Sequence, residues 1–179
     1  FRSHQAGQLT LVAGIALAQS LRTFDVPVTI KWPNDILING RKVAGILTEM
    51  QTEADRISSV IIGIGINVHH EQFPEWIKDR ATSLVRESGR TFRRAEVVAA
   101  FLNRFERLYT QWVELGFGPF VFEWETLADR LHEQVTLRTR QATASGTLLG
   151  IDETGTIRIE TDAGETRFHS AELIYWEKE

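Results

Sequence analysis

A chain of 179 residues, 42% of them hydrophobic, can build one medium-sized domain, or one domain with a small appendage, around a substantial core. Its 20 basic and 24 acidic residues leave a net charge of −4, which argues against a general nucleic-acid binder but leaves room for a small basic pocket around one anionic ligand. The absence of cysteine excludes disulfides, thiolate metal sites and cysteine nucleophiles, and is compatible with the cytosol. No apolar run approaches the ~18 residues of a membrane span, and no signal peptide is visible. The chain opens at Phe1 rather than at an initiator Met, as a processed or excised piece of a longer chain would.

Residues 8–24, QLTLVAGIALAQSLRTF, place Leu9, Val12, Ile15, Ala16, Leu17, Leu21 and Phe24 near helical spacing, which predicts a well-buried helix. VPVTIKW alternates Val28, Ile30 and Trp32 against Thr29 and Lys31, a strand pattern. Pro33 blocks ladder pairing at its own position and bends the chain. DILI and RKVAGILTEM flank Asn39-Gly40, the pair that a two-residue type I′ turn wants because both central residues need positive φ, so a hairpin is predicted. ISSVIIGIGINV is a continuous apolar run rich in β-branched residues, which predicts a central strand covered on both faces.

From about His69 to Arg94 the periodicity is weak and charges are many, predicting a loop with a short helix near Glu75–Lys78. Val97, Phe101, Phe105, Leu108, Trp112 and Leu115 then step by three or four residues, a core-facing helical stripe stopped by Gly116, Gly118 and Pro119. A shorter stripe follows at Phe120, Trp124, Leu127 and Leu131. In the tail, QVTLRTR, ASGTLLGID, TIRIET and ETRFHSAELIYW are short β patterns separated by turns at DETG and DAG. They predict a small barrel, residues 133–179, appended to a mixed body, residues 1–132.

The hairpin concentrates the charge. With the turn at Asn39-Gly40, Ile38 faces Arg41, Leu37 faces Lys42, Ile36 faces Val43 and Asp35 faces Ala44. Facing residues share a side of the sheet, so Asp35, Leu37, Lys42 and Ala44 fall on one face, with Ile36, Ile38, Val43, Gly45 and Leu47 on the other. Asp35 and Lys42 become diagonal neighbours about 7–8 Å apart. An acid and a base on one face suit an anion site with a base beside it; the same spacing suits an exposed ion pair, which contributes little. Lys31 and Arg41 also read as solvated strand-edge charges.

GIGIN, Gly63 to Asn67, is not a dinucleotide fingerprint, because the third glycine of G-x-G-x-x-G would fall at Val68 and no helix pattern starts there. Glycines within a strand mark close approach of a ligand or of another backbone. Asn67 at the strand end suits a ligand hydrogen bond or a loop cap. His69-His70 makes a poor metal pair, because adjacent residues on an extended chain point in opposite directions. Trp76, in a polar loop, suits ring stacking on a ligand or loop anchoring; the other tryptophans fit core stripes.

KWPNDILINGRKVAGILTEM, followed by VIIGIGINV, resembles the signature of the bacterial biotin protein ligases, the biotin–[acetyl-CoA-carboxylase] ligases. The likeness extends over the whole chain, since GTLLGIDETGTIRIET resembles that family's C-terminal SH3-like barrel. It implies an α+β fold: a mixed β-sheet with helices packed on it, class II synthetase-like, followed by the barrel. It implies two steps, in which biotin and ATP with Mg2+ give biotinyl-5′-adenylate, and a lysine of a biotin carboxyl carrier protein then takes the biotinyl group. By resemblance, Lys42 and Asp35 are the catalytic pair. Lys42, Gly45, Ile46, Leu47, Gly63 and Gly65 hold biotin, and Lys31, Asn34, Asn67 and Trp76 lie on the nucleotide side. No protein metal site is implied. A cytoplasmic homodimer, formed through the edge of the catalytic sheet, is.

Two departures from the family pattern stand out. The Gly/Arg-rich loop of the form G-R-G-R-x-G-R-x-W, which encloses the adenylate, has no counterpart in these residues, and the N-terminal winged helix of repressor-type members, which binds nucleic acid, is not seen. The expectation is that these 179 residues alone are inactive. At the other end, where the family often has Gly-Glu before a hydrophobe, this chain has Ser170-Ala171-Glu172-Leu173. The alternatives are a catalytically incomplete fragment that binds biotin or its adenylate or dimerises, a lipoate-type ligase of the same fold, and, for residues 134–179 alone, an SH3-like peptide or nucleic-acid module.

Overall fold

The computed structural model describes residues 3–53 and 56–174. The chain runs α1 (Ser3–Arg22), β1 (Thr29–Lys31), β2 (Asp35–Ile38), β3 (Arg41–Glu53), β4 (Arg56–Ile66), α2 (Leu84–Ser88), α3 (Arg94–Leu115), α4 (Gly118–Glu125), then β5 (Gln134–Arg138), β6 (Thr143–Ile151), β7 (Ile157–Thr161), β8 (Gly164–Phe168) and β9 (Glu172–Ile174). The predicted last strand extended through Trp176, which lies outside the described residues.

α1 is apolar around nearly its whole circumference, so it must be enclosed on all sides. Leu11 to Ala13 and Ile15 to Ala18 are all buried. One side rests on the first sheet, where the space beside Gly14 is taken by the Ile46 side chain. Another rests on α3, where Ser20 Oγ donates to Ala100 O at 3.1 Å. On α3, Val97, Leu108 and Trp112 are buried, and Phe101 and Phe105 pack partly against the core. Leu115, predicted for that stripe, is exposed, because the helix ends there and Gly116 (φ 72) turns the chain away. Gly118 and Pro119 do more than stop a helix: they begin α4, with the proline in the first turn where it lacks only an N–H that would have no partner.

The first sheet is antiparallel, in the order β1-β2-β3-β4. Its β1 edge is covered by the segment after α4: Ile30 N donates to Leu127 O and Asp129 N to Ile30 O. β4 is the opposite edge, not the central strand predicted. It is also covered on one face only: Ile62, Ile64 and Ile66 pack toward the core, while Ile61, Gly63 and Gly65 face outward. Unbroken apolarity came from glycines and an outward isoleucine, which the sequence pattern cannot tell from two buried faces.

The tail is a five-stranded antiparallel sheet of SH3-like type, in the order β8-β7-β6-β5-β9, without a closing pair between β8 and β9 among the described residues. Its turn between β6 and β7 is seated in the body. Trp32 Nε1 donates to Gly155 O at 3.1 Å, Gln8 Nε2 to Glu153 O at 3.0 Å, and Trp112 Nε1 to Gln8 Oε1 at 3.4 Å. Gly155 has φ 83, and a Cβ there would lie 2.7 Å from Leu11 Cδ1, so a side chain would strain the backbone and displace Leu11.

Candidate functional site

The hairpin turns at Asn39 (φ 51) and Gly40 (φ 73), as two consecutive positive φ angles require. Ile38 pairs with Arg41 and Leu37 with Lys42, as the alternation predicts. The register then shifts: Ile36 pairs with Ala44 and Asp35 with Gly45, not with Val43 and Ala44. A bulge at Val43 adds one residue to β3, and a one-residue slip exchanges faces beyond it. Val43 and Ala44 are accordingly both buried, and Gly45 and Leu47 move to the Asp35 face, from which Ala44 is lost. Nothing in an apolar run without Pro marks the bulge in advance.

On the open face, three charges form a row. Lys31 of β1 lies opposite Asp35 of β2, and Lys42 Nζ reaches Asp35 Oδ1 at 2.5 Å. Asp35 Oδ1 is shut off from solvent and receives no aligned N–H, so the contact is an ion pair rather than a directed hydrogen bond. Burial pushes the Lys31 ammonium below the usual lysine pKa; Asp35 and Glu172 oppose that shift, Lys42 adds to it and Asp129 opposes it. Gly45 supplies the room. A Cβ there would lie 2.8 Å from both Cε and Nζ of Lys42 and 3.5 Å from Asp35 Oδ1.

Next to the row the sheet is bare. Gly45 pairs with Gly65 and Leu47 with Gly63, all facing outward. A Cβ at Gly65 would meet nothing within 4 Å. Leu47 is 63% exposed and Ile61 stands beyond it, so the floor is glycine rimmed by two aliphatic side chains. Ile46 departs from the expected floor: its side chain is 2% exposed and points into the core beneath α1. Its backbone is engaged by Asn34, whose O accepts from Ile46 N at 2.9 Å and whose Nδ2 donates to Ile46 O at 2.8 Å.

Asn67 ties a neighbouring segment to the site. Its N donates to Val43 O at 2.8 Å, its Nδ2 to Thr82 O at 3.1 Å, and its O accepts from Leu84 N at 2.9 Å. Trp76 is not brought to the row: it stands 78% exposed in the turn of residues 75–80, which is a series of turns rather than the predicted short helix. The helix in this region is α2, nine residues further on. Its signal is Ser83 as N-cap, accepting from Arg86 N, and Gly89 (φ 66) after its end. Arg41, a solvated strand-edge charge by its sequence position, pairs with Glu87 of α2 at 2.6 Å. Among the described residues, no three carboxylates or imidazoles converge as a metal site, and no helix is long and apolar enough to cross a membrane.

A lysine–aspartate–lysine row thus lies beside a glycine floor, on an α1-backed sheet followed by an SH3-like sheet. Residues 2–67 match the biotin/lipoate A/B protein ligase family and residues 131–174 the biotin protein ligase C-terminal domain. The biotin–[acetyl-CoA-carboxylase] ligase of Paracoccus denitrificans is 34% identical over 176 residues, 95% of this chain and 73% of that protein. The bifunctional ligase/repressor BirA of Bacillus spizizenii is 45% identical over 169 residues, 93% of this chain and 52% of its own length. The structure of the Aquifex aeolicus biotin protein ligase in complex with biotin and ATP superposes with a TM-score of 0.84 at 34% identity, covering 94% of this chain and 70% of that one. The chain belongs to the biotin protein ligase family. It spans about half the length of the Bacillus relative.

Proposed function

We propose that the protein activates biotin with ATP and transfers it to a lysine of a biotin carboxyl carrier protein. A carboxylate oxygen of biotin attacks the α-phosphorus of ATP, the bond to the β-phosphate oxygen breaks, and pyrophosphate leaves. The acceptor amine then attacks the acyl carbon, AMP leaves, and the amine gives up a proton. Both reactants of the first step are anions, so a cation between them lowers the barrier. Lys42 is that cation, with Lys31 and Asn34 on the phosphate side. Asp35 orients the acceptor lysine and assists its deprotonation. Gly45, Gly63, Gly65 and Leu47 form the face for biotin's fused rings, and Asn67 and Trp76 the adenine side.

The observation that carries this reading is the Lys42–Asp35 contact beside the open glycines Gly63 and Gly65. The matching ligase from Aquifex aeolicus holds biotin and ATP, and the match of the tail to a biotin ligase domain favours biotin over lipoate. ATP carries its Mg2+ as part of the substrate. Two further parts of the reading are a division into units at residues 132–133 and a cytoplasmic homodimer paired through the open β4 edge.

Biotin-dependent ATP–pyrophosphate exchange tests the reading. The full-length protein exchanges label only when biotin is present. Residues 1–179 alone, which carry no Gly/Arg-rich run to enclose the adenylate, do not. Biotin-independent exchange by the full-length protein, or none at all, would refute it.

A further inference from the structure

Glu87 of α2 lies outside the charged row, yet its carboxylate is 6% exposed and collects three donors. Asn39 Nδ2 donates to Oε2 at 2.8 Å, Arg41 NH2 donates to Oε1 at 2.6 Å, and Thr82 Oγ1 donates to the same oxygen. Hydrogen bonds to a shielded carboxylate are among the stronger ones. The donors come from two stretches of chain that meet at one residue. Asn39 and Arg41 belong to the turn that leads into Lys42. Thr82 belongs to the segment lying along Lys42's other side, where Lys42 N donates to Arg80 O at 2.7 Å and Thr82 N to Lys42 O at 2.9 Å.

Lys42 sits where the pairing of β3 changes partners. The bulge follows it at Val43, and the β4 ladder ends opposite Ala44, one step short of the bulge and two short of Lys42. Residues 80–82 take over the pairing there. The direction in which the Lys42 side chain leaves the backbone thus depends on the spacing between the Asn39–Arg41 turn and residues 80–82. Beside the backbone pairing of Lys42 with residues 80–82, the Glu87 carboxylate is the side-chain group that joins the Asn39–Arg41 turn to Thr82.

We propose that Glu87 is a positioning residue for Lys42: by holding the turn and residues 80–82 together, it directs the ammonium across Gly45 to Asp35. The catalytic consequence rests on the ligase reading; the structural one does not. In the full-length protein, Glu87→Ala lowers kcat of biotin-dependent exchange by about tenfold or more, with KM for biotin and ATP changed less than about threefold. Glu87→Gln, whose amide oxygen still accepts from Arg41 and Thr82, recovers most of the loss. Because Glu87 acts through Lys42, the double variant with Lys42→Ala is no worse than Lys42→Ala alone, within about threefold. Multiplying losses, or an unchanged kcat in Glu87→Ala, would overturn the proposal.

A second measurement separates the two readings. Peptide mass spectrometry follows acetylation of Lys42 by N-hydroxysuccinimidyl acetate. In Glu87→Ala the Lys42 rate rises about threefold or more while the other lysines keep theirs, as release from an ion pair requires. Equal Lys42 rates overturn the proposal even if the wild type exchanges normally; absence of wild-type exchange with the rate difference intact removes only the ligase reading. Should Glu87→Ala not fold, Arg41→Met, which breaks one arm of the cluster, is carried through the same comparisons.

Discussion

Lys42 fills the space that Gly45 leaves empty: the ammonium stands 2.8 Å from where a Cβ at Gly45 would be, and from there reaches Asp35. The bulge at Val43 is what brings these residues together, since without it Gly45 would face the core side. Lys42→Ala in the full-length protein is expected to lose at least about tenfold in biotin-dependent ATP–pyrophosphate exchange, or ~1.4 kcal/mol of transition-state stabilisation. A variant as active as its parent would remove Lys42 from the mechanism.

Gly45→Ala tests the same relationship without touching a charge. The added methyl displaces the far end of a flexible side chain rather than backbone. The unfolding free energy should therefore shift by less than about 1 kcal/mol, while exchange activity falls toward that of Lys42→Ala. Urea melts and exchange assays on one preparation separate the two effects.

Ile46 and Leu47 are chain neighbours with opposite assignments. Ile46→Ala opens a cavity under α1 and should cost ~2–5 kcal/mol of stability. Leu47→Ala removes an exposed side chain and should change stability by less than about 0.5 kcal/mol, but raise KM for biotin. Equal melting curves for the two variants would contradict the assignment of faces.

Lys31 supplies a pH dependence whose sign is fixed. Burial lowers its folded-state pKa, so between that value and the ordinary lysine value the unfolded chain holds more protons than the folded one. Stability rises with pH through that window, and the cost of burying the ammonium is fully present below it. Lys31→Met abolishes this increment. Melts of both proteins taken from neutral pH to above pH ~10.4, the unfolded lysine value, should show the wild type gaining on the variant as pH rises; a constant difference would refute the shift.

How much was legible beforehand follows from what each residue controls. Asn39-Gly40 announced its turn because few residues accept positive φ twice in a row. The α3 stripe showed through Val97, Leu108 and Trp112, and the tail through its turn residues. The bulge did not show, because Val43 and Ala44 are each ordinary in a strand and only their partners in β2 reveal the extra residue. Nor did Glu87: one acid among many, it is distinguished only by donors 5 to 48 residues away. Gly63 and Gly65 were noticed, but whether they faced a ligand or a helix depended on which side α1 took.

Trp32 serves two masters. Its indole holds the carbonyl of Gly155 in the tail, and its backbone runs within three residues into Asp35. The SH3-like tail is therefore not a removable accessory. A chimera that exchanges residues 133–179 for those of a relative must keep a glycine at position 155 and partners for Gln8 and Trp32. A graft that ignores this seam would disturb the chemistry through the β1–β2 turn, which carries Trp32 and leads into Asp35.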